Sequence, residues 1–233
     1  MAAEAPGALV GTGRSADVYD LGNGRVLRRY RDQREPAWVA VEAEVMVRAR
    51  ACGVPVPEVF DVSGADIVME RAAGPTMLEF VGRRPWTARE QARSLARLHG
   101  LVHQVPASGL STPPSATMRG LDGDVLLHGD LHPKNVILTA GGPMIIDWES
   151  ARHGPAIDDV AMTWALLAFS EIPLPWLRAV VARRMRALFI NSFVRAAGPL
   201  DDAWRMTAIR RRLADPHVLP SEAARMKKLA LSA

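Results

Sequence analysis

The segment His128-Gly-Asp-Leu-His-Pro-Lys-Asn135, followed by Ile145-Ile146-Asp147, constrains this chain more than any other feature. Asp130 and Asn135 lie five positions apart and Asp147 follows an apolar run, so three oxygen-bearing side chains are expected near two strand ends. Mg²⁺ takes a few oxygen ligands and completes its shell with phosphate oxygens, while a separate carboxylate stays free to accept the proton of an attacking hydroxyl. A lone Asp would read as a turn residue or a helix cap. The combined spacing instead suits magnesium and phosphate.

Upstream, short strands surround one helix. Leu9-Val10 leads into the glycine-bearing stretch Gly11–Asp17, and Val18-Tyr19 and Val26-Leu27 flank Gly22-Asn23-Gly24, a hairpin signal. Residues 36–52 have helical spacing, with Trp38, Val41, Val45 and Ala49 on one face and Gly53 and Pro55 as stops. Val59–Val62 and Ala65–Met69 form a second predicted hairpin.

After Gly74-Pro75 the chain reads as helical. Thr87 and Glu90 have the spacing of a capping box, opening a helix that carries Ala92, Leu95, Leu98 and Val102. Residues 104–121 read as a connecting loop, and Val125–Leu127 and Met144–Ile146 as strands. Further helices are predicted at about 158–170, 175–197, 201–214 and 221–231. The predicted class is α+β, with residues 1–72 as a small antiparallel-sheet lobe holding one helix and residues 73–233 as a mainly helical lobe.

Composition narrows the setting. Cys52 is the one cysteine, which excludes an intrachain disulfide and a multi-cysteine zinc site. The opening MAAEAPGALV lacks a basic region followed by an apolar run, and the longest apolar run, Val160–Phe169, falls short of the roughly 20 residues a membrane span needs. A cytoplasmic protein without membrane contact is expected. The net charge of +4 is unevenly placed: residues 170–233 carry twelve basic and five acidic residues. If they line an acceptor pocket, they favour a neutral, zwitterionic or anionic acceptor over a polyamine. Arg205, Arg210, Arg211 and Arg212 lack interleaved aromatics, so nucleic acid is not an expected partner.

These residues resemble the aminoglycoside phosphotransferase family, small-molecule kinases built like protein kinases and including choline- and homoserine-kinase-type relatives. HGDLHPKN is similar to the family's catalytic loop, IIDWE to its metal-binding strand end, and Gly154 with Asp159 in ARHGPAIDDVA to the Gly and second Asp that follow. GTGRSADVY resembles the nucleotide loop, VEAEVMVRARACGVPVPEV the helix and Pro-Val-Pro turn, and IVMERAAG the hinge. The likeness implies a kinase-like bilobal fold, ATP or GTP as donor, Mg²⁺, and a small hydroxylated acceptor. It assigns Asp130 as catalytic base, or as the residue orienting the acceptor hydroxyl, and Asn135 and Asp147 as metal ligands; His128 and Asp159 read as loop support, and His132 as loop support or as a contact to the transferring phosphate.

In the nucleotide loop, Gly11, Gly13 and Ser15 would cover the phosphates. Gly11-x-Gly13-x-x-Ala16 also satisfies the dinucleotide fingerprint, but that pattern requires a helix directly after it, and here a strand and hairpin follow. Kinases pair a strand lysine with a helix glutamate. The strand here reads Arg25-Val-Leu-Arg-Arg29, so Arg28 is expected in the lysine's place, with Glu44 as its partner and Glu42 as the alternative. The two acids differ by about 200° around the helix, so only one can face the cleft. Met69 would back the adenine pocket, and the backbone of Glu70 and Ala72 would pair with the base. His99 reads as a satisfied core histidine.

Two other readings compete. A protein kinase is disfavoured because WESARHG after Asp147 lacks Phe-Gly, a Ser/Thr-rich activation loop and Ala-Pro-Glu. A non-catalytic nucleotide-binding scaffold is motivated by the missing strand lysine, and the intact Asp130, Asn135 and Asp147 speak against it.

Overall fold

The Asn23-Gly24 turn sets the register of the main sheet. Both residues have positive φ, 49° and 73°, the left-handed geometry that matches strand twist in a tight hairpin. In the computed structural model, which describes residues 7–13, 15–31, 36–113, 124–171 and 176–231, this turn joins β2 (Ala16–Gly22) to β3 (Arg25–Tyr30). With β1 (Leu9–Thr12), β4 (Val59–Ser63) and β5 (Asp66–Glu70) they form an antiparallel sheet of order β1-β2-β3-β5-β4. Side chains alternate along a strand, so Val26, Arg28 and Tyr30 share one face, and all three are buried.

Helix α1 (Pro36–Ala51) lies between β3 and β4 in the chain. Its buried face comprises Val39, Glu42, Ala43, Val45, Met46 and Ala49. Trp38, predicted on that face, is 51% exposed, and Val41 is half-buried. The helix is rotated from the apolar stripe because Glu42 enters the interior to meet Arg28.

The helical part begins with α2 (Met77–Arg83), which the sequence reading missed, and the capping box belongs to it. The Thr76 hydroxyl accepts the Glu79 N–H at 3.1 Å, and the Glu79 carboxylate accepts the Thr76 N–H at 2.9 Å. At the predicted box, Thr87 instead ends a 3₁₀ turn begun by Pro85 and donates its hydroxyl to Arg84 C=O at 2.7 Å. The Ala88 N–H is already bonded to Pro85 C=O, so the cap has one orphan donor fewer to satisfy.

Helix α3 (Ala88–Val102) buries Ala92, Leu95, Leu98 and Val102 as predicted. The strands β6 (Val125–Leu127) and β8 (Gly142–Ile145) pair with partners the sequence reading missed, β9 (Arg152–Gly154) and β7 (Val136–Thr139) respectively. Helices α4 (Ala156–Phe169), α5 (Trp176–Ala197), α6 (Asp202–Leu213) and α7 (Pro220–Ala230) fall within two residues of expectation. Residues 114–121 of the predicted loop and residue 175 of the predicted helix lie outside the described residues. One core cluster runs from Val26, Met46 and Ile67 in the sheet part to Met77, Leu95 and Phe193 in the helical part. Among the described residues, no helix is long and apolar enough to cross a membrane.

Candidate active site

The chain leaves β6 through a turn that only glycine fits. Gly129 has φ +78°, and a Cβ there would stand 2.3 Å from the Ser150 carbonyl oxygen. Asp159, fully buried in the first turn of α4, accepts the His128 N–H at 3.1 Å on one oxygen and the Gly129 N–H at 2.9 Å on the other. Burial works against its charge, but His103 and His99 outweigh it and hold the carboxyl well below the usual range.

His128 is also fully buried, and burial pushes its pKa down. Its Nδ1 accepts the Asp130 N–H at 3.3 Å, which leaves Nε2–H to donate to Ile146 C=O at 3.1 Å. Both ring nitrogens are therefore occupied in bracing the loop. His132 follows the same logic: Nδ1 accepts the Lys134 N–H at 3.2 Å, and Nε2 lies 3.7 Å from Asp130 Oδ2. Burial, reinforced by His128 and Lys134, pushes the His132 pKa down to about 4, so the ring is neutral at pH 7.

Asp130 keeps its carboxylate partly in solvent, with side-chain exposure of 36%. The Asn135 amide NH₂ donates to the Asp130 carbonyl at 2.9 Å and to its carboxylate at 3.2 Å, which leaves the Asn135 amide oxygen as a neutral ligand atom. Asp147, past the end of β8, has φ 68° and ψ 65°, a left-handed conformation that costs a non-glycine residue about 1–3 kcal/mol. An amide oxygen and a carboxylate form a hard, oxygen-only donor set, which fits Mg²⁺.

Arg28 is the hub of the cleft. Its Nη1 lies 3.1 Å from Glu42 and its Nη2 2.6 Å from Asp147 and 3.5 Å from Glu149. Glu44, the predicted partner, is instead half-buried beside Ala40, Val47, Val59 and Val62 on the other side of α1. The two-position offset predicted that only one of the pair could face inward, and it is Glu42. Burial raises the Glu42 pKa, Arg28 opposes this, and Tyr30 donates its hydroxyl to the same carboxylate. Burial alone would lower the Arg28 pKa, but Glu42 and Asp147 raise it well above its usual value. Three carboxylates thus converge on one guanidinium, an acidic excess that a divalent cation would offset.

Glu149 was not singled out from the sequence. Its position two residues after Asp147, in a 3₁₀ turn, carries it to Ser15 of the glycine-bearing loop between β1 and β2, whose hydroxyl donates to Glu149 Oε2. That loop joins antiparallel strands, as expected for Gly11 and Gly13, and the Gly13 N–H bonds to Ala16 C=O at 2.8 Å. Of the residues expected at a hinge, Met69 is buried near the end of β5, Glu70 is its last residue and Ala72 follows, half-buried.

Four of the C-terminal arginines have ion-pair partners in the structure. Arg211 pairs with Asp158 at 2.7 Å, Arg212 with Asp215 and Glu222, Arg205 with Asp202, and Arg225 with Glu171. Of these partners only Asp158 lies outside residues 170–233, so the pairing leaves the net basic excess of that segment almost unchanged.

A model of a family described as "phosphotransferase enzyme family" matches residues 7–123 and 116–197. Among curated proteins, the probable bifunctional tRNA threonylcarbamoyladenosine biosynthesis protein of Methanoculleus marisnigri is 30% identical over 159 residues, covering 64% of this chain and 25% of that protein. The probable serine/threonine-protein kinase BUD32 homolog of Archaeoglobus fulgidus is 30% identical over 108 residues, covering 46% of this chain and 43% of that protein. The chain therefore spans less than half the length of either relative. Among solved structures, the aminoglycoside-3'-phosphotransferase of type VIII aligns with TM-score 0.59 at 19% identity, covering 86% of this chain and 90% of that one. A choline/ethanolamine kinase family protein from Mesorhizobium loti aligns with TM-score 0.55 at 18% identity, covering 90% and 76%. These likenesses show a kinase-like α+β fold.

Proposed function

Because the chain belongs to the phosphotransferase enzyme family, we propose that it transfers the γ-phosphate of ATP or GTP to a hydroxyl group of a small molecule. The observation that carries this reading is the separation of roles in the cleft. Asp130 is partly exposed and held by Asn135, whereas Asp147 faces Arg28 and the nucleotide loop's partner Glu149. Asp130 accepts the acceptor's hydroxyl proton or aligns its oxygen. Asn135 and Asp147 hold Mg²⁺, which when bound neutralises phosphate charge. Arg28 offers the phosphates a permanent charge, and Gly11, Gly13 and Ser15 cover them. Met69 and the backbone of Glu70 and Ala72 receive the base. Such chemistry is mainly positioning and charge neutralisation, which this chain's residues supply.

Only a 3₁₀ turn and the three residues of β9 separate Asp147 from α4. That path is too short for the long activation segment of a protein kinase, which supports a small acceptor. The 30% identity to a probable serine/threonine-protein kinase carries the second reading, a protein acceptor. A screen with radiolabelled ATP and GTP against hydroxylated antibiotics, amino alcohols, sugars and protein substrates separates the two. Label on a small molecule, absent in Asp130→Asn, supports the first; label confined to protein overturns it in favour of the second.

A further inference from the structure

Against the backbone of the 128–135 loop, three side chains able to ligate a metal meet in the interior. His99 and His103 lie one helical turn apart at the end of α3, and Asp159 projects from the start of α4. Their nearest ligand atoms all fall within 4.8 Å of one another. Asp159 Oδ2 is 3.2 Å from His103 Nε2 and 3.5 Å from His99 Nδ1. Ligands at zinc–nitrogen and zinc–oxygen distances on a tetrahedron stand about 3.4 Å apart.

The hydrogen bonds around His99 show what the pocket lacks. Thr163 has one hydroxyl proton and donates it to the Leu131 carbonyl at 2.6 Å. At its 3.1 Å contact with His99 Nε2 it can therefore only accept, so Nε2 carries the ring's hydrogen. In the neutral ring Nδ1 is then a bare lone pair, fully buried, with no hydrogen-bond partner, aimed at a carboxylate. Two lone pairs facing each other in a dry interior repel unless a cation lies between them, either a proton, as when His99 helps to hold Asp159 charged, or a metal ion.

We infer that His99 Nδ1, His103 Nε2 and Asp159 Oδ2 form a binding site for a single Zn²⁺ ion, distinct from the Mg²⁺ site at Asn135 and Asp147. Two imidazoles and one carboxylate suit zinc and not magnesium, which binds oxygen. His103 is 12% exposed at the side chain, so water enters from that side as the fourth ligand. The hydroxyl of Thr163 fixes the His99 tautomer, as an outer partner of a zinc-bound histidine does. Zinc binding requires His103 to move its ring proton from Nε2 to Nδ1. The site grips the catalytic loop at three points: the N–H groups of His128 and Gly129 through Asp159, and the carbonyl of Leu131 through Thr163. Zinc would stiffen the loop that carries Asp130 without touching the reacting groups.

Calorimetric titration of Zn²⁺ into chelator-treated full-length chain tests this directly, alongside thermal denaturation. One equivalent should bind, and the melting temperature should rise by roughly 5 °C or more at one hundred times the dissociation constant. His103→Ala removes a partner of Asp159 and should lower the metal-free melting temperature, so its readout is the zinc affinity of the folded variant, which should weaken at least about 100-fold. Asp147→Ala should bind zinc as the wild type does, and Co²⁺ in place of zinc should give the strong visible absorption of a tetrahedral site. No saturable binding, or binding that survives His103→Ala, would overturn the proposal. So would binding lost in Asp147→Ala, and in each of these cases a proton shared between His99 and Asp159 fills the gap. None of these readouts depends on phosphotransfer, so they stand apart from the proposed reaction.

Discussion

Arg28 and Asp147, 119 positions apart, meet through a charged hydrogen bond of 2.6 Å. The same guanidinium reaches Glu42 with its other nitrogen at 3.1 Å, so one planar fork joins the central strand β3, helix α1 and the end of β8. Lysine could not present two rigid, divergent donors in this way. The side chain is 10% exposed, so these contacts form in a poorly solvated space where charge is costly unless balanced.

Arg28→Ala should therefore destabilise the fold by about 3 kcal/mol, because it leaves Glu42 buried without its cation. It should also raise the nucleotide KM, since the phosphates lose a permanent charge. Arg28→Lys keeps a charge but loses the fork, and should recover only part of both losses. Urea unfolding and steady-state kinetics of the pair would check this; wild-type behaviour of Arg28→Ala would leave Arg28 without a role in the cleft.

Glu42→Gln and Glu44→Gln should behave differently. The first removes a buried carboxylate that Arg28 and Tyr30 both contact and should lower kcat/KM by about tenfold or more. The second changes a half-buried residue on the other side of α1 and should leave kinetics unchanged. Equal effects would mean that α1 rotates in solution.

Why the sequence pointed to the wrong glutamate is a matter of register. The strand period is two, so Val26 marked the inward face of β3 and placed Arg28 correctly. On α1 the apolar residues cover more than one face, and Trp38, Val41 and Val45 suggested a stripe that the tertiary packing shifts. The grouping of His128, Asp130 and Asn135 was legible because they sit close in sequence and meet through local turns, with His128 bonded to Ile146 just before Asp147. Glu149 with Ser15, and Asp159 with His99 and His103, were not, because each contact spans a long separation that only the folded chain closes. The capping box misled for a local reason: Pro85 started a turn ahead of Thr87 and occupied its donors.

Asp130→Asn should lower kcat by about 10² or more while nucleotide affinity changes little, because in the proposed reaction this carboxylate serves the acceptor hydroxyl and makes no contact with Arg28. Burst kinetics and nucleotide titration measure the two quantities separately. Near-normal turnover would remove Asp130 from the reaction.

Acid should unfold the protein partly through His132. Its folded pKa of about 4 lies below the ordinary 6.5, so between those values the unfolded chain binds more protons than the folded one. Stability is then fully present above pH 6.5 and falls as pH drops toward 4, by on the order of 3 kcal/mol from this residue. Urea midpoints at pH 7 and 4.5 should show the decline, and His132→Asn should make it shallower. His128 and His99, also pushed down by burial, act in the same direction, so the decline should not vanish. An unchanged slope in His132→Asn would mean that His132 titrates normally.

Ser15 and Glu149 give the last prediction, which concerns the nucleotide loop. A hydroxyl bonded to a carboxylate in a partly buried site contributes about 1–2 kcal/mol, and here it ties the loop between β1 and β2 to the strand end that carries Asp147. Ser15→Ala deletes the donor, and Glu149→Gln keeps an acceptor but removes the charge that also faces Arg28 at 3.5 Å. Stability measured for both single variants and the double variant should therefore show a coupling of about 1 kcal/mol, with Ser15→Ala costing less in the Glu149→Gln background. Hydrogen exchange should quicken at the Gly13 amide, whose bond to Ala16 lies within the tethered turn. Additive losses with unchanged exchange would show that the loop is held by its strands alone, and Glu149 would then act only through Arg28.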